Sequence, residues 1–167
     1  MTISVSLRAR PNIRFLFAHP AHFFALGLGA GLAPVAPGTF GTLLALPIYA
    51  WLLPRVGDRG FAALLPAMFL LGVWACQVTG KRLGVHDHGG MVWDETVAFL
   101  IVLYFTPASL AWQAFAFLVF RLFDIAKPAP IRHFDRTIRN GLGVMFDDVL
   151  AAFYTLLCLA GWKYLFG

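Results

Sequence analysis

Apolar residues run through this chain in long blocks, and the polar ones gather where the blocks stop. Residues 61–79 form a nearly unbroken apolar run of about 19 residues, the usual length of a membrane-crossing helix. A shorter block from about residue 42 to 53 predicts another helix. It is entered through the stiff turn Pro34-Val35-Ala36-Pro37-Gly38-Thr39-Phe40-Gly41-Thr42, with a helix start at Thr39. Residues 55–60 turn the chain between these two blocks. The apolar stretch from 95 to 123 is interrupted by Thr106-Pro107-Ala108-Ser109. Pro107 disfavours helical geometry at Thr106 and Ser109 can cap a second helix, so a helical hairpin is expected there in preference to one kinked helix. A last helix is expected from near Asp147 to near Phe166. Residues 15–31 mix apolar positions with His19, His22 and Gly27-Leu28-Gly29-Ala30-Gly31, which predicts an interfacial or re-entrant segment. The pattern as a whole predicts an all-α polytopic membrane bundle of about five short spanning helices, with all of residues 1–167 in one domain. Several of these helices are short for a core of about 30 Å and need local thinning or burial against neighbours.

Composition points the same way. Hydrophobic residues make up 60% of the chain and charged ones 13%, against about 25% charged in a soluble domain. The net charge of +5 is not arranged as a basic stripe interleaved with aromatics, so no nucleic-acid partner is expected. Basic loops facing anionic membrane lipids explain the sign. Cys76 and Cys158 both sit in apolar segments and imply no disulfide. Residues 1–18 lack a long apolar run and a cleavage site, and read as a retained cytoplasmic start.

Charge also orients the path. Five crossings with residues 55–59 outside put Arg8, Arg10, Arg14, Lys81, Arg82, Arg121, Lys127, Arg132, Arg136 and Arg139 inside, and only Arg55, Arg59 and Lys163 outside. This obeys the positive-inside rule, which a single kinked helix over 95–123 satisfies less well. The hairpin also gathers the acids. Of eight acidic residues only Asp58 lies apart. Asp87, Asp94, Glu95, Asp124, Asp135, Asp147 and Asp148 all reach the inner face.

Carboxylates beside lipid-facing segments are costly unless compensated, and a divalent cation is the simplest compensation. Asp94-Glu95 and Asp147-Asp148 each fall at a predicted helix start, where N-capping is the plainer role. Two such pairs on one face, with Asp87 and Asp124 near them, favour metal coordination. His86 and His88 flank Asp87 in Val85-His86-Asp87-His88-Gly89-Gly90, which suits acid/base or ligand work, and either imidazole fits. Arg121, Asp124 and Lys127 fall at i, i+3 and i+6 of a helix end. Lys127-Pro128-Ala129-Pro130-Ile131-Arg132-His133-Phe134-Asp135-Arg136 reads as a rigid basic loop at headgroup level, able to grip a phosphate. The turn around Thr39 opens a helix with no acid in its first turn, which suits an anion. Cys76-x5-Arg82 and the glycines at 27, 29 and 31 mimic phosphatase and dinucleotide loops, but neither comes after a strand.

Four ordered blocks carry a resemblance: Gly29 to Gly41, Val85 to Glu95, Arg121 to Arg136, and Gly141-Leu-Gly143-Val-Met145-Phe-Asp147-Asp148-Val-Leu-Ala151. With them the chain resembles phosphatidylglycerophosphatase A, a bacterial membrane enzyme family, from about residue 23 to 160. Thr96-Val97-Ala98 departs from the family, which continues toward a glycine there. The resemblance implies a magnesium-dependent phosphatase of the bacterial inner membrane, with its site on the cytoplasmic face. Its substrate would be phosphatidylglycerophosphate, cleaved to phosphatidylglycerol, the precursor of cardiolipin, and inorganic phosphate. On that reading Asp94, Glu95, Asp147 and Asp148 hold one or two Mg²⁺, with Asp87 and Asp124 in or beside the ligand set. His86 or His88 moves the proton, and Thr39, Arg121, Lys127, Arg132 and Arg136 hold the phosphate. A small ion transporter, a lipid-binding scaffold and a phosphatase for a different lipid phosphate are the other classes the sequence leaves open.

Overall fold

The computed structural model describes residues 10–129 and 131–166, except the side chains of residues 135 and 136. Every element among the described residues is helical. Two short helices open the chain. In α1 (Ile13–Phe17) the Asn12 side chain accepts from the Phe15 N–H at 3.0 Å. In α2 (Pro20–Ala25) His19 Nδ1 accepts from the Ala21 N–H at 3.1 Å, and Pro20 takes the first position, where a missing N–H costs nothing. A 3₁₀ turn, Gly27–Leu32, comes next. The interrupted pattern of residues 15–31 thus becomes three short elements joined by turns.

The next element, α3 (Pro37–Leu83), contains one non-helical residue, Gly57, at φ 68° and ψ 173°. Tyr49 and Phe61 meet edge-on at 5.3 Å, although one straight helix would hold them about 18 Å apart. The chain therefore doubles back at Gly57, and the reversal expected of residues 55–60 is made by a single glycine. The start of α3 is at Pro37, ahead of the expected Thr39, because Pro is tolerated at a helix's first turn.

The hairpin is present. α4 (Trp93–Phe105) ends on an extended Thr106, and α5 (Leu110–Ala126) is capped by Ser109 Oγ, which accepts from the Trp112 N–H at 3.3 Å. Two expectations are corrected downstream. Residues 131–137 form α6 (Ile131–Thr137) instead of remaining loop, since prolines forbid helix interiors but not the residues after them. And α7 (Gly141–Phe166) begins six residues before Asp147. Its start is set by Asn140, whose Oδ1 accepts from the N–H groups of Leu142 and Gly143 at 3.0 and 3.1 Å.

Phe61 stacks on Tyr104 at 5.8 Å, and Phe115 meets Trp162 at 5.3 Å. These contacts put Gly57, the α4–α5 turn and the end of α7 together at one end of the bundle. The starts of α3, α4 and α7 and the end of α5 meet at the other. α4 lies between α3 and α7, and Phe99, Leu100, Leu103 and Phe120 are wholly buried around it.

The outside is apolar too. Phe40, Trp51, Leu70, Leu118, Leu122, Phe153 and Leu157 all lie exposed, a surface suited to lipid. Among the described residues α3 and α7 are long and apolar enough to cross a membrane. α4 is 13 residues long and α5 17, about 20 and 26 Å, so both are shorter than a hydrocarbon core of about 30 Å and a full crossing by either needs local thinning or burial against neighbours.

Candidate metal centre

Helix starts and ends build the site. Asp94 and Glu95 occupy the first turn of α4, with no side-chain cap there. Asp124 sits in the last turn of α5, and Lys127 closes that helix in the left-handed region at φ 40°. Asp147 and Asp148 lie well inside α7, since the helix starts at Gly141. Capping therefore does not account for that pair, because interior helical N–H groups are already bonded.

The side chains converge. One oxygen each from Glu95, Asp124 and Asp148 lies within 4.8 Å of the other two. At that separation two carboxylate charges repel by about 3 kcal/mol at an effective dielectric of about 20. Asp94 and Asp148 are 8% and 3% exposed. Asp94 Oδ1, Glu95 Oε2 and Asp148 Oδ2 are enclosed and meet no hydrogen-bond donor among the described residues.

Two cations answer part of this charge. Arg121 Nη1 donates to Glu95 Oε1 at 3.2 Å, to Thr42 Oγ1 at 3.3 Å and to Asp124 Oδ2. Lys127 Nζ pairs with Asp147 Oδ2. If Asp94, Glu95, Asp124, Asp147 and Asp148 are all ionised, the two cations paired with them among the described residues leave three negative charges in excess. Enclosed, donor-poor oxygens beside that excess fit a divalent cation with oxygen ligands.

Gly38, one turn before Thr42, lets α3 approach the cluster. A Cβ there would run into Glu95 Oε1 and lie 3.1 Å from Arg121 Nη1. Thr42 donates to the Gly38 carbonyl at 2.9 Å.

Other expected residues fall elsewhere. Asp87 is exposed on the loop after α3, near enough for its charge to act on Asp94 and Glu95. His86 is exposed and lines a separate cavity of about 260 Å³ with Lys81, Arg139 and Asn140. His88 Nδ1 accepts from the Gly90 N–H at 3.0 Å. Thr39 is half-buried, with its N–H bonded to the Ala36 carbonyl at 2.9 Å. Thr42, one turn further on, makes the contact to Arg121. Arg132 is exposed on α6, at 3.5 Å from the Ala126 carbonyl, and the Arg136 side chain lies outside the described residues. Gly38 and Thr42 are the site residues that the sequence did not single out. Their signal is the i, i+4 spacing of a glycine and a hydroxyl at a helix start.

The family model described as Phosphatidylglycerophosphatase A matches residues 23–163. A Haemophilus influenzae protein named Phosphatidylglycerophosphatase A is 47% identical over 156 residues, covering 92% of this chain and 95% of the relative. The Escherichia coli protein of the same name is 38% identical over 152 residues, 90% and 88% of the two chains. A Bacteroides thetaiotaomicron relative, provisionally named phosphatidylinositol-3-phosphatase, is 36% identical over 148 residues, 84% and 92%. No solved structure matches the chain.

Proposed function

Because the chain belongs to the phosphatidylglycerophosphatase A family, we infer that it hydrolyses the phosphomonoester of phosphatidylglycerophosphate to phosphatidylglycerol and inorganic phosphate. The reaction is Mg²⁺-dependent and lies on the route to cardiolipin. The observation that carries this reading is the convergence of Glu95, Asp124 and Asp148 with enclosed oxygens that lack donors.

These three residues would hold Mg²⁺, with Asp94 and Asp147 beside them and Asp87 on the loop above. Bound there, Mg²⁺ supplies charge neutralisation for phosphate oxygens and a water activated for in-line attack. Arg121 fixes the orientation of Glu95 and Asp124, and its Nε, which meets no acceptor among the described residues, is left for the substrate phosphate. Lys127 orients Asp147 and adds positive charge at the same end. Arg132 extends that charge along α6, and Thr39 sits in the first turn of α3. His86 or His88 accepts the water's proton or protonates the leaving glycerol oxygen. The Gly90 contact on Nδ1 of His88 suits the tautomer with its proton on Nε2.

Purified protein should release phosphate from phosphatidylglycerophosphate only with Mg²⁺, and chelator should silence it reversibly. Release that is indifferent to chelator would remove the metal from this reading. The Bacteroides relative's name favours testing a second substrate class, so phosphatidate and a phosphoinositide belong in the same assay as competitors. Equal turnover of all three would make the enzyme a general lipid phosphatase. Solvent ¹⁸O entering phosphate without trapped phosphoenzyme would assign direct attack by water.

Topology comes from the two ends of the bundle. Arg55, Arg59 and Lys163 lie at the Gly57 end, whereas Lys81, Arg82, Arg121, Lys127, Arg132 and Arg139 lie at the carboxylate end. Positive-inside bias supports a site on the cytoplasmic face of the inner membrane. A reporter fused after Gly167 should be active in the periplasm, and a cytoplasmic signal would overturn the five-crossing path.

A further inference from the structure

A second polar site lies apart from the carboxylates, between the short N-terminal helices and the end of α3. His19, His22, Lys81 and Arg82, with Ala18 and Val78, line a cavity of about 520 Å³. No carboxylate lines it, and among the described residues neither Lys81 nor Arg82 forms an ion pair. Basic residues in a last helical turn also complement the helix dipole, which explains where Lys81 and Arg82 stand along α3. That role does not explain the wall they face.

His22 is 4% exposed, and its Nδ1 lies 2.9 Å from the hydroxyl of Thr79, which is fully buried. The Phe15 ring stacks on the imidazole at 4.1 Å and 10°. Burial first, then His19 and the Arg82 guanidinium, hold the imidazole below its ordinary pKa. A histidine fixed in this way is a rigid hydrogen-bonding wall, and the charge in the cavity comes from Lys81 and Arg82. Apolar side chains flank the opening. Trp74, whose ring is 6.0 Å from His19, is 43% exposed, and Phe17, the chain neighbour of Ala18 in the wall, is 69% exposed. A cationic cavity beside exposed aromatics matches a ligand with an anionic head and an apolar body.

We propose that the His19–His22–Lys81–Arg82 cavity binds the phosphodiester of an anionic phospholipid, at a site distinct from the carboxylate centre. The aromatic rim favours a lipid over free phosphate as the source of that group.

Native mass spectrometry of the detergent-solubilised full chain tests this, with phosphatidylserine as the probe because it is neither substrate nor product of the reaction inferred above. Phosphatidylserine should bind at least about 10-fold more tightly than phosphatidylcholine. The double variant Lys81→Gln/Arg82→Gln should erase that preference. Thr79→Val, which leaves every charge in place, should weaken binding several-fold. Arg55→Gln/Arg59→Gln at the opposite end should leave it unchanged. An equal loss in that distal variant, no preference over phosphatidylcholine, or no effect of Lys81→Gln/Arg82→Gln would overturn the site. Displacement by inorganic phosphate at equal concentration would assign it to free phosphate and overturn the lipid. Asp148→Asn should retain lipid binding, so this result stands or falls independently of the phosphatase reading.

Discussion

Asp148→Asn is expected to lower phosphate release by more than about 100-fold while leaving the protein folded and inserted. Residues that merely support a metal ligand change affinity or activity by about 10- to 100-fold, and Asp148 is proposed as a ligand itself. Asn keeps the shape of the side chain but removes a charge and brings donor hydrogens to the cluster. In the absence of metal this variant should be at least as stable as the parent, because three carboxylates within 4.8 Å become two. The parent should instead be stabilised by added Mg²⁺, by about 2.7 kcal/mol when the ion is at 100 times its dissociation constant. Thermal unfolding with and without Mg²⁺ reads that difference. A variant that remains active with the parent's Mg²⁺ dependence would falsify the assignment of Asp148.

Gly38→Ala is the second large expected effect. Alanine favours a helix over glycine by about 0.5–1 kcal/mol, so the fold alone would gain from the change. The new methyl, however, would occupy the place of Glu95 Oε1 and crowd Arg121 Nη1. The group that must move is the end of a side chain, which can shift without unfolding the helix. A misplacement of about 1 Å in a catalytic group costs on the order of 100-fold. Activity should therefore fall by about that factor at unchanged or raised thermal stability. Gly161→Ala, where a methyl meets nothing within 4 Å, serves as the control and should be silent. Full activity in Gly38→Ala would show that Glu95 can leave its present position without consequence.

Much of this site is legible in the sequence because its parts are chemically conspicuous. Carboxylates are rare in so apolar a chain, and Pro107 with Ser109 marks the reversal that brings Asp124 back to Asp94. The features that escape are set by weaker local signals. Gly141-Leu142-Gly143 reads as loop, yet Asn140 caps a helix there, and that cap shifts Asp147 and Asp148 from a helix start to its interior. The prolines at 128 and 130 suggest an extended basic loop, whereas proline restricts only where α6 can begin. Thr39 and Thr42 are equivalent in composition, and only the phase of α3 decides that Thr42 meets Arg121. The His86–His88 stretch reads as polar loop next to the acids, and it is one. Its backbone path, set by Gly84 in the left-handed region and by the Gly90 contact, is beyond the reach of residue types alone.

The guanidinium of Arg121 reaches Thr42 of α3, Glu95 of α4 and Asp124 of its own helix through one nitrogen. Three separate helices therefore share a single fastening. Until the α3 hairpin docks beside α4 and α5, that fastening is incomplete and two acids at its edge stay poorly matched. Packing of α3 against α4 and α5 and completion of this polar cluster are thus one event, and a half-packed bundle has neither.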